Sequence, residues 1–193
     1  MTGPLQNRVT PFGDIVATPA RGTMMGNRGG RLHDGQKRLG SRRWTSKRWI
    51  CCELVFKGRR RPVMAPNSYT ELFFLDEVTA LASGHRPCFE CRRADAKAFA
   101  AAFPAGDRSA DAMDRILHAE RLERYAIGTA ADLPDGAVWA EGEAAYARRD
   151  GTVLCWSFEG WQAAPSWTDR PARLLTPPSI VAALRDGYRP RWR

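Results

Sequence analysis

The chain has few lysines, few histidines and no long apolar run. Four of its 30 basic residues are lysines, and three of its 193 residues are histidines. Because no apolar run approaches the ~20 residues that a membrane-spanning helix needs, a helical membrane protein is excluded. The first eight residues lack the apolar core of a secretory signal, so we expect a cytoplasmic protein with no membrane partner. A hydrophobic share of 44% also excludes a wholly disordered chain.

Acidic residues are scarce in the first third of the chain, and this scarcity localises the positive charge. Residues 1–62 hold 14 basic and 3 acidic residues, a net charge of +11, whereas residues 63–193 hold 16 and 18, a net charge of −2. The planar guanidinium of arginine suits phosphates and guanine edges. The asymmetry therefore predicts a nucleic-acid partner, with DNA favoured over RNA. The arginines expected to contact phosphates are Arg42, Arg43, Arg59, Arg60, Arg61, Arg92 and Arg93.

Apolar periodicity and turn residues predict an α+β fold in three segments. Residues 1–47 form an irregular basic segment rich in glycine and arginine, in which residues 13–18 are expected to form a short strand. Residues 21–30 are expected to be a flexible basic arm or a loop that brings backbone N–H groups and arginines to a ligand. Residues 48–106 contain a strand, a return strand over 62–65 that completes a β-hairpin, and two helices. Residues 107–193 contain a longer helix, a small β-rich unit and a C-terminal helix. The expected architecture is thus a small hairpin and helix module followed by an α+β unit.

Five cysteines in two close pairs plus one do not form the even set of a disulfide framework. Cys88 and Cys91, three residues apart, can point both sulfurs at one metal ion, which is typical of zinc sites. Cys51 and Cys52 lie 36 to 40 residues upstream. Strand alternation places these neighbours on opposite faces, and Cys52 is favoured because it lies on the apolar face. Cys51 or a histidine would complete the zinc site, and Cys155 is expected to be a buried, inert thiol.

One stretch resembles a known family. Residues 82–92 read Ala-Ser-Gly-His-Arg-Pro-Cys-Phe-Glu-Cys-Arg, after Phe73-Phe74 and a short Ala-rich helix. They resemble the N-terminal zinc-binding domain of the Ada-type DNA-repair methyl-acceptor proteins, whose hallmark is Ala-x-Gly-aromatic-Arg-Pro-Cys-x-x-Cys. The looser similarity covers about residues 48–93.

The resemblance implies that Cys88 and Cys91 are the second pair of zinc ligands, and that the first pair lies near Cys51 and Cys52. It also implies DNA contact through the surrounding basic surface, in DNA repair or a stress response. Two departures stand out: the family spaces its first pair by three residues, and His85 occupies the position of an aromatic residue. Methyl acceptance by a zinc-bound thiolate, the family's activity, would need four cysteines at the metal.

An alternative function is an enzyme that acts on nucleic acid or nucleotides, with a structural zinc ion. Whether the chain is an enzyme is left open by the sequence. The weak candidates for catalysis are His118 and Glu120, although residues two apart on a helix do not face each other. Loop residues that would meet them in a cleft are Asn7, Arg8, Asp14, Arg21, Asn27 and Arg28. A third alternative is a regulatory module without nucleic-acid contact, favoured if the arginines pair with carboxylates.

Overall fold

Residues 3–59 and 62–193 are described by a computed structural model, in which two six-stranded sheets are joined by four helices. The strands of the first sheet are β1 (Gln6–Val9), β2 (Ile15–Ala17), β3 (Met24–Asn27), β4 (Ile50–Glu53), β5 (Leu72–Phe74) and β6 (Arg86–Pro87). Their spatial order is β2-β1-β5-β3-β4-β6. Two pairs, β1 with β5 and β4 with β6, are parallel, and the other pairs are antiparallel.

The second sheet comes almost entirely from the last third of the chain. Its strands are β7 (Tyr125–Ile127), β8 (Val138–Glu141), β9 (Ala144–Arg149), β10 (Thr152–Ser157), β11 (Gly160–Ala163) and β12 (Ala172–Leu174). They lie in the order β11-β10-β9-β8-β12-β7, and every pair is antiparallel. The helices are α1 (Glu77–Ala82), α2 (Arg93–Ala102), α3 (Ala110–Leu122) and α4 (Pro178–Arg185).

Helix α1 connects the two sheets. Asp76 caps it by accepting the backbone N–H of Thr79 at 2.9 Å, as its position before the apolar run predicts. The second sheet reaches the same helix end, because the indole N–H of Trp161 donates to Asp76 Oδ2 at 2.8 Å and that of Trp156 donates to Thr79 Oγ1 at 3.2 Å. Since all of α1 is buried, this short helix is held by packing on both sides rather than by its own length.

The apolar core has three parts. One lies between helices α2, α3 and α4 and the second sheet, around Phe99, Leu117, Trp139 and Leu184. Another lies against one face of the first sheet and includes Cys51, Leu72 and Phe74. The third joins α1 to strands β8 and β9.

The α+β class is confirmed, but two local expectations are wrong. The strand expected over residues 13–18 is confirmed by β2, but residues 21–30 are not a flexible arm, because residues 24–27 form β3, and the segment before them also supplies β1. Residues 62–65 form turns rather than a return strand, and β4 pairs instead with β3 and with β6. The first sheet therefore combines parts of the predicted segments 1–47 and 48–106, whose boundaries stay predictions, as does the boundary at 106/107.

In the part of the chain that the structure describes, no helix is long and apolar enough to cross a membrane.

Candidate metal centre

Three cysteines from two separate parts of the first sheet meet at its edge. Strand β4 carries Cys52, and its parallel pairing with β6 sets Cys51 opposite Pro87, so Cys88 follows directly beside Cys52. Cys91 lies in the turn that leads into α2. The Sγ atoms of Cys52, Cys88 and Cys91 all lie within 4.8 Å of one another. Of the two predicted ligands in the first pair, Cys52, which the sequence favours, is the one that lies with Cys88 and Cys91.

Backbone N–H groups point at two of these sulfurs. Glu90 N donates to Cys88 Sγ at 3.4 Å, and Glu53 N donates to Cys91 Sγ at 3.4 Å. The turn itself is held by Cys88 N, which donates to Cys51 O at 2.9 Å. Because an N–H donor stabilises a thiolate more than a thiol, these contacts favour the ionised sulfur that metals bind.

The three thiols also perturb one another. Hydrogen bonds from Cys52 first, and then from Cys91, lower the pKa of Cys88 to about 2. The corresponding bonds to Cys88 and Cys91, together with burial, raise the pKa of Cys52 far above its usual range. Cys88 is therefore the thiol of the cluster that ionises most readily, whereas three adjacent thiolates repel each other and need a positive ion between them.

The donor set fits a soft, tetrahedral metal ion. Zinc bound by thiolates at ~2.3 Å in tetrahedral geometry places the sulfurs roughly 3.8 Å apart, and the observed separations are within reach of that value. Sulfur ligands favour zinc over calcium or magnesium, which take oxygen. Among the described residues, no fourth histidine, cysteine, aspartate or glutamate joins the cluster. The arrangement can therefore hold a metal ion with one coordination position left for another ligand.

The predicted ligand Cys51 does not belong to this cluster. Its side chain is completely buried on the opposite face of β4, where its sulfur accepts a bond from Arg92 Nη1 at 3.5 Å. Burial raises the pKa of this thiol, with a further contribution from Glu77. The four-cysteine set that methyl acceptance would need is thus not assembled.

No histidine of the described chain completes the site. His85 is fully buried on the other face, with its ring 5.0 Å from that of Trp49 and 4.7 Å from that of Phe74. Arg28 Nε donates to His85 Nε2 at 3.3 Å, so the proton is on Nδ1, which donates to Ser83 Oγ at 3.0 Å. Burial, followed by the charges of Arg28 and Arg121, lowers the pKa of His85 well below its usual value. His85 is therefore a neutral packing residue.

A cavity of about 620 Å³ opens in front of the cysteine cluster. Its wall includes Cys52, Cys88 and Cys91, and the rest is largely apolar and aromatic. The apolar part of the wall consists of Met25, Ile50, Leu54, Val55, Phe56, Val63, Tyr69 and Phe73. The free coordination position of a bound metal ion would therefore be accessible to a small molecule or to a flat apolar group.

Six of the seven predicted phosphate contacts fall into three groups. Arg42, Arg43 and Arg93 are exposed. Arg59 is also exposed but forms an ion pair with Glu90 at 2.8 Å. Arg60 and Arg61 lie outside the described residues.

Arg92 is the one predicted phosphate contact that the structure contradicts. Its guanidinium is 0% exposed and binds Glu77 at 2.7 Å and Asp95 at 2.8 Å. Two carboxylates already neutralise it inside the protein, so Arg92 cannot reach a nucleic acid.

The loop residues of the predicted enzyme site are only partly brought together. Asp14, Arg28 and Glu120 line one cavity of about 410 Å³. His118 lies beside it, with its ring 5.8 Å from that of Trp44, which also lines the cavity. Glu120 has a structural role, because its carboxylate accepts bonds from the N–H and O–H of Ser179 at the start of α4.

The remaining loop candidates lie elsewhere. Arg8 and Arg21 line a much smaller opening, and Asn7 donates to Met64 Sδ at 3.9 Å. Asn27 lines the cavity in front of the cysteines.

Sequence reasoning missed Arg121 and Trp49, which complete the second cavity beside Arg28. Both guanidiniums lie over the Trp49 ring, Arg28 Cζ at 4.0 Å and Arg121 Cζ at 4.5 Å. No spacing motif connects residues 28, 49 and 121, so only their proximity in the fold identifies them.

Comparisons with models of protein families, with curated proteins and with solved structures found no match to this chain.

Proposed function

We propose that the protein binds one zinc ion through Cys52, Cys88 and Cys91 and binds nucleic acid, DNA in the first place, through its arginine-rich N-terminal third. The observation that carries the zinc part is the convergence of three sulfurs within 4.8 Å. Bound zinc would stabilise the thiolates and link β4 to the turn before α2. The resemblance to the Ada-type zinc domain supports the same ligands, without their fourth cysteine.

Metal analysis of untagged protein tests the zinc part. We expect one zinc per chain in the wild type, and loss of that zinc in Cys52→Ser, Cys88→Ser and Cys91→Ser. Cys51→Ser and Cys155→Ser are the matched controls, because both thiols lie outside the cluster. Folded wild-type protein without metal after purification in zinc, or loss of zinc in the Cys51→Ser variant, would contradict the assignment.

The nucleic-acid part rests on where unpaired positive charge remains. Arg42 and Lys47 are exposed on the loop before β4, and no ion pair neutralises them among the described residues. Arg43 on the same loop bonds only backbone carbonyls. This loop lies in the part of the chain with a net charge of +11, where counterion release on binding a polyanion is favoured.

Anisotropy titrations of labelled single- and double-stranded oligonucleotides, DNA and RNA, test this part across a range of salt concentrations. The logarithm of the association constant should fall by about 0.9 per neutralised phosphate for each decade of salt on duplex DNA. An Arg42→Gln/Arg43→Gln variant should bind more weakly with a smaller salt slope. An Arg108→Gln/Arg185→Gln variant, which removes the same charge from exposed positions elsewhere, should bind like the wild type. An association constant that does not change with salt concentration would refute the nucleic-acid part of the proposal.

A second candidate function is an enzyme that acts on nucleic acid or nucleotides. The observation that favours it is the cavity in which Asp14, Arg28 and Glu120 meet, since these residues come from distant parts of the chain. The discriminating experiment is incubation of nucleic acids and nucleotides with the protein, followed by product analysis. A change in substrate that is lost in Arg28→Lys and retained in Cys51→Ser would favour the enzyme.

A further inference from the structure

Two arginines line the 410 Å³ cavity without a carboxylate hydrogen-bonded to them among the described residues: Arg28, which is buried, and Arg121, which is half-buried. Arg28 is 2% exposed, and among the described residues its guanidinium donates hydrogen bonds to His85 and, at 2.9 Å, to Gly13 O. Arg121 donates to Gly84 O from Nε at 2.9 Å and from Nη2 at 2.6 Å, and to Lys47 O at 3.1 Å. Neither guanidinium forms an ion pair within the described residues.

Elsewhere the same chain neutralises its buried arginines. Arg86 binds Asp114 through two bonds, at 2.9 and 2.7 Å, and Arg92 binds Glu77 and Asp95. Burying a charge without a counterion is costly, so a protein retains such a charge where a ligand or partner supplies the counterion. Arg28 and Arg121 therefore indicate an anion that binds from outside.

The electrostatics of the cavity agree with that conclusion. Burial first, and the charge of Arg121 second, lower the pKa of Arg28 to about 9. Burial is also the main reason that the pKa of Arg121 is lowered to about 9. An anion bound at these guanidiniums would raise both pKa values, as an opposite charge does.

Charges at the cavity wall are of both signs, with positive charge in excess. The basic side chains are Arg28, Arg43, Arg121, Arg124 and Arg173, and the acidic ones are Asp14, Glu120 and Glu123. The carboxylate of Glu120 already accepts hydrogen bonds from Ser179. The arginines outnumber the carboxylates, and Arg43 and Arg124 are exposed where a ligand would enter.

The mouth of the cavity also offers a flat aromatic surface. Trp44 is 39% exposed, and its ring lies 6.0 Å from that of Trp49 and 5.8 Å from that of His118. A large exposed indole that contacts two neighbouring rings and lines the same cavity as these arginines can stack a nucleobase while the arginines bind its phosphate.

We infer that this cavity binds a nucleotide, with its phosphate at Arg28 and Arg121 and its base against Trp44. The inference rests on the nucleic-acid part of the proposed function and is independent of the zinc part. The cysteine cluster lies on the opposite face of the first sheet. Cys52 and its cross-strand partner Met25 line the cavity in front of the cysteines, whereas Trp49 and Cys51, at alternate positions along the chain, lie on the other face. The nucleotide is either a free mononucleotide or the terminal nucleotide of a strand, and these sources share one recognition chemistry.

Isothermal titration calorimetry tests the inference on the full chain. The probes are the four nucleoside 5′-monophosphates, the four nucleosides without phosphate, inorganic phosphate, and a 5′-phosphorylated hexanucleotide beside its unphosphorylated form. We expect at least one monophosphate, or the phosphorylated hexanucleotide, to bind about tenfold or more tightly than its phosphate-free counterpart. Preference for the hexanucleotide would identify a strand end, and preference for the monophosphate would identify a free nucleotide.

Variants distinguish this cavity from the outer surface. Arg121→Gln should weaken phosphate-dependent binding about tenfold or more, and Arg124→Gln, at an exposed position that leaves the fold intact, should weaken it severalfold. Trp44→Leu should weaken nucleotide binding more than phosphate binding. The control is Arg115→Gln, an exposed arginine on the same helix as Arg121 but outside the cavity.

Equal affinity for nucleotides and nucleosides, or no binding of any phosphorylated probe by folded protein, would overturn the inference. So would unchanged binding in both Arg121→Gln and Arg124→Gln. If long oligonucleotides still bind in a manner that depends on Arg42, the proposed function survives while this inference fails.

Discussion

At the scale of single residues, His85 shows how a buried side chain makes stability depend on pH. It is neutral in the folded protein, where it accepts from Arg28 Nε and lies near the charge of Arg121. An unfolded histidine gains a proton as the pH falls below about 6.5. The folded protein resists that proton, so its free energy of unfolding should decrease as the pH falls below this value, by up to about 1.4 kcal/mol per pH unit.

Urea unfolding at pH 7.5 and at pH 5.5, in constant zinc, measures this effect. Because other groups also titrate, the relevant quantity is the difference between the wild type and His85→Gln. The variant should be less stable at pH 7.5 but should lose less stability on acidification. An equal loss in both proteins would show that His85 is not protonated selectively on unfolding.

Gly84 illustrates a residue whose lack of a side chain is required. Its φ is +82°, and a Cβ atom there would lie 2.7 Å from Arg121 Nε, while its carbonyl accepts two bonds from the same guanidinium. Gly84→Ala should therefore destabilise the protein by about 1–2 kcal/mol from backbone strain and also displace Arg121. Urea unfolding measures the first effect, with Gly106→Ala as the control, since a Cβ at Gly106 meets nothing within 4 Å. Equal stability of the two variants would contradict the prediction.

At the scale of elements, a buried ion network joins α1, α2 and the C-terminal residues. Arg92 contacts Glu77 of α1 and Asp95 of α2, and Glu77 in turn accepts the hydroxyl of Tyr188 at 2.5 Å. Arg92→Met leaves the Glu77 carboxylate buried without its cation. Thermal or urea unfolding should show a loss of about 3–5 kcal/mol.

A matched pair of variants separates burial from charge in this network. Arg191 also contacts Asp95, but it is 51% exposed, so Arg191→Met should cost only about 0–1 kcal/mol. Adding Glu77→Gln to Arg92→Met removes the uncompensated charge and should recover part of the loss. A double variant less stable than Arg92→Met would contradict this account.

The same elements show what can be read from the sequence. The cap Asp76 and the alternation that separates Cys51 from Cys52 are local patterns, so the start of α1 follows from the sequence, and three of the four proposed metal ligands lie together in the structure. The pairing of β4 with β3 and β6 depends on distant residues, so the sequence pattern predicts a local hairpin instead. Arg92 was misassigned because charge is visible in a sequence and burial is not.

At the scale of the whole molecule, the cysteine cluster and the nucleotide cavity lie on opposite faces of one sheet, so they should be separable. Wild-type protein depleted of zinc by a chelator, at a temperature where it remains folded, should keep most of its nucleotide affinity. Calorimetry with the best-binding probe, before and after chelation, measures this. Arg121→Gln with its zinc retained should show the reverse pattern. Loss of nucleotide affinity in step with zinc would show that the two sites are coupled.

The contribution of zinc to stability should also be unevenly distributed over the fold. Strand β6 has two residues, lies beside β4 at the edge of the first sheet, and leads into the turn that carries Cys88 and Cys91. A bound ion links this edge to Cys52, and binding at 100 times the dissociation constant stabilises a folded state by about 2.7 kcal/mol.

The second sheet has its own core around Trp139 and Leu184 and no ligand to the ion. Chelation should therefore accelerate amide hydrogen exchange in β4, β6 and the following turn, while β8, β9 and β10 exchange at unchanged rates. Cys91→Ser should exchange like the chelated protein, and Cys155→Ser should respond like the wild type. Faster exchange throughout both sheets would mean instead that the metal ion holds the entire fold together, which would place the two sheets in one cooperative unit.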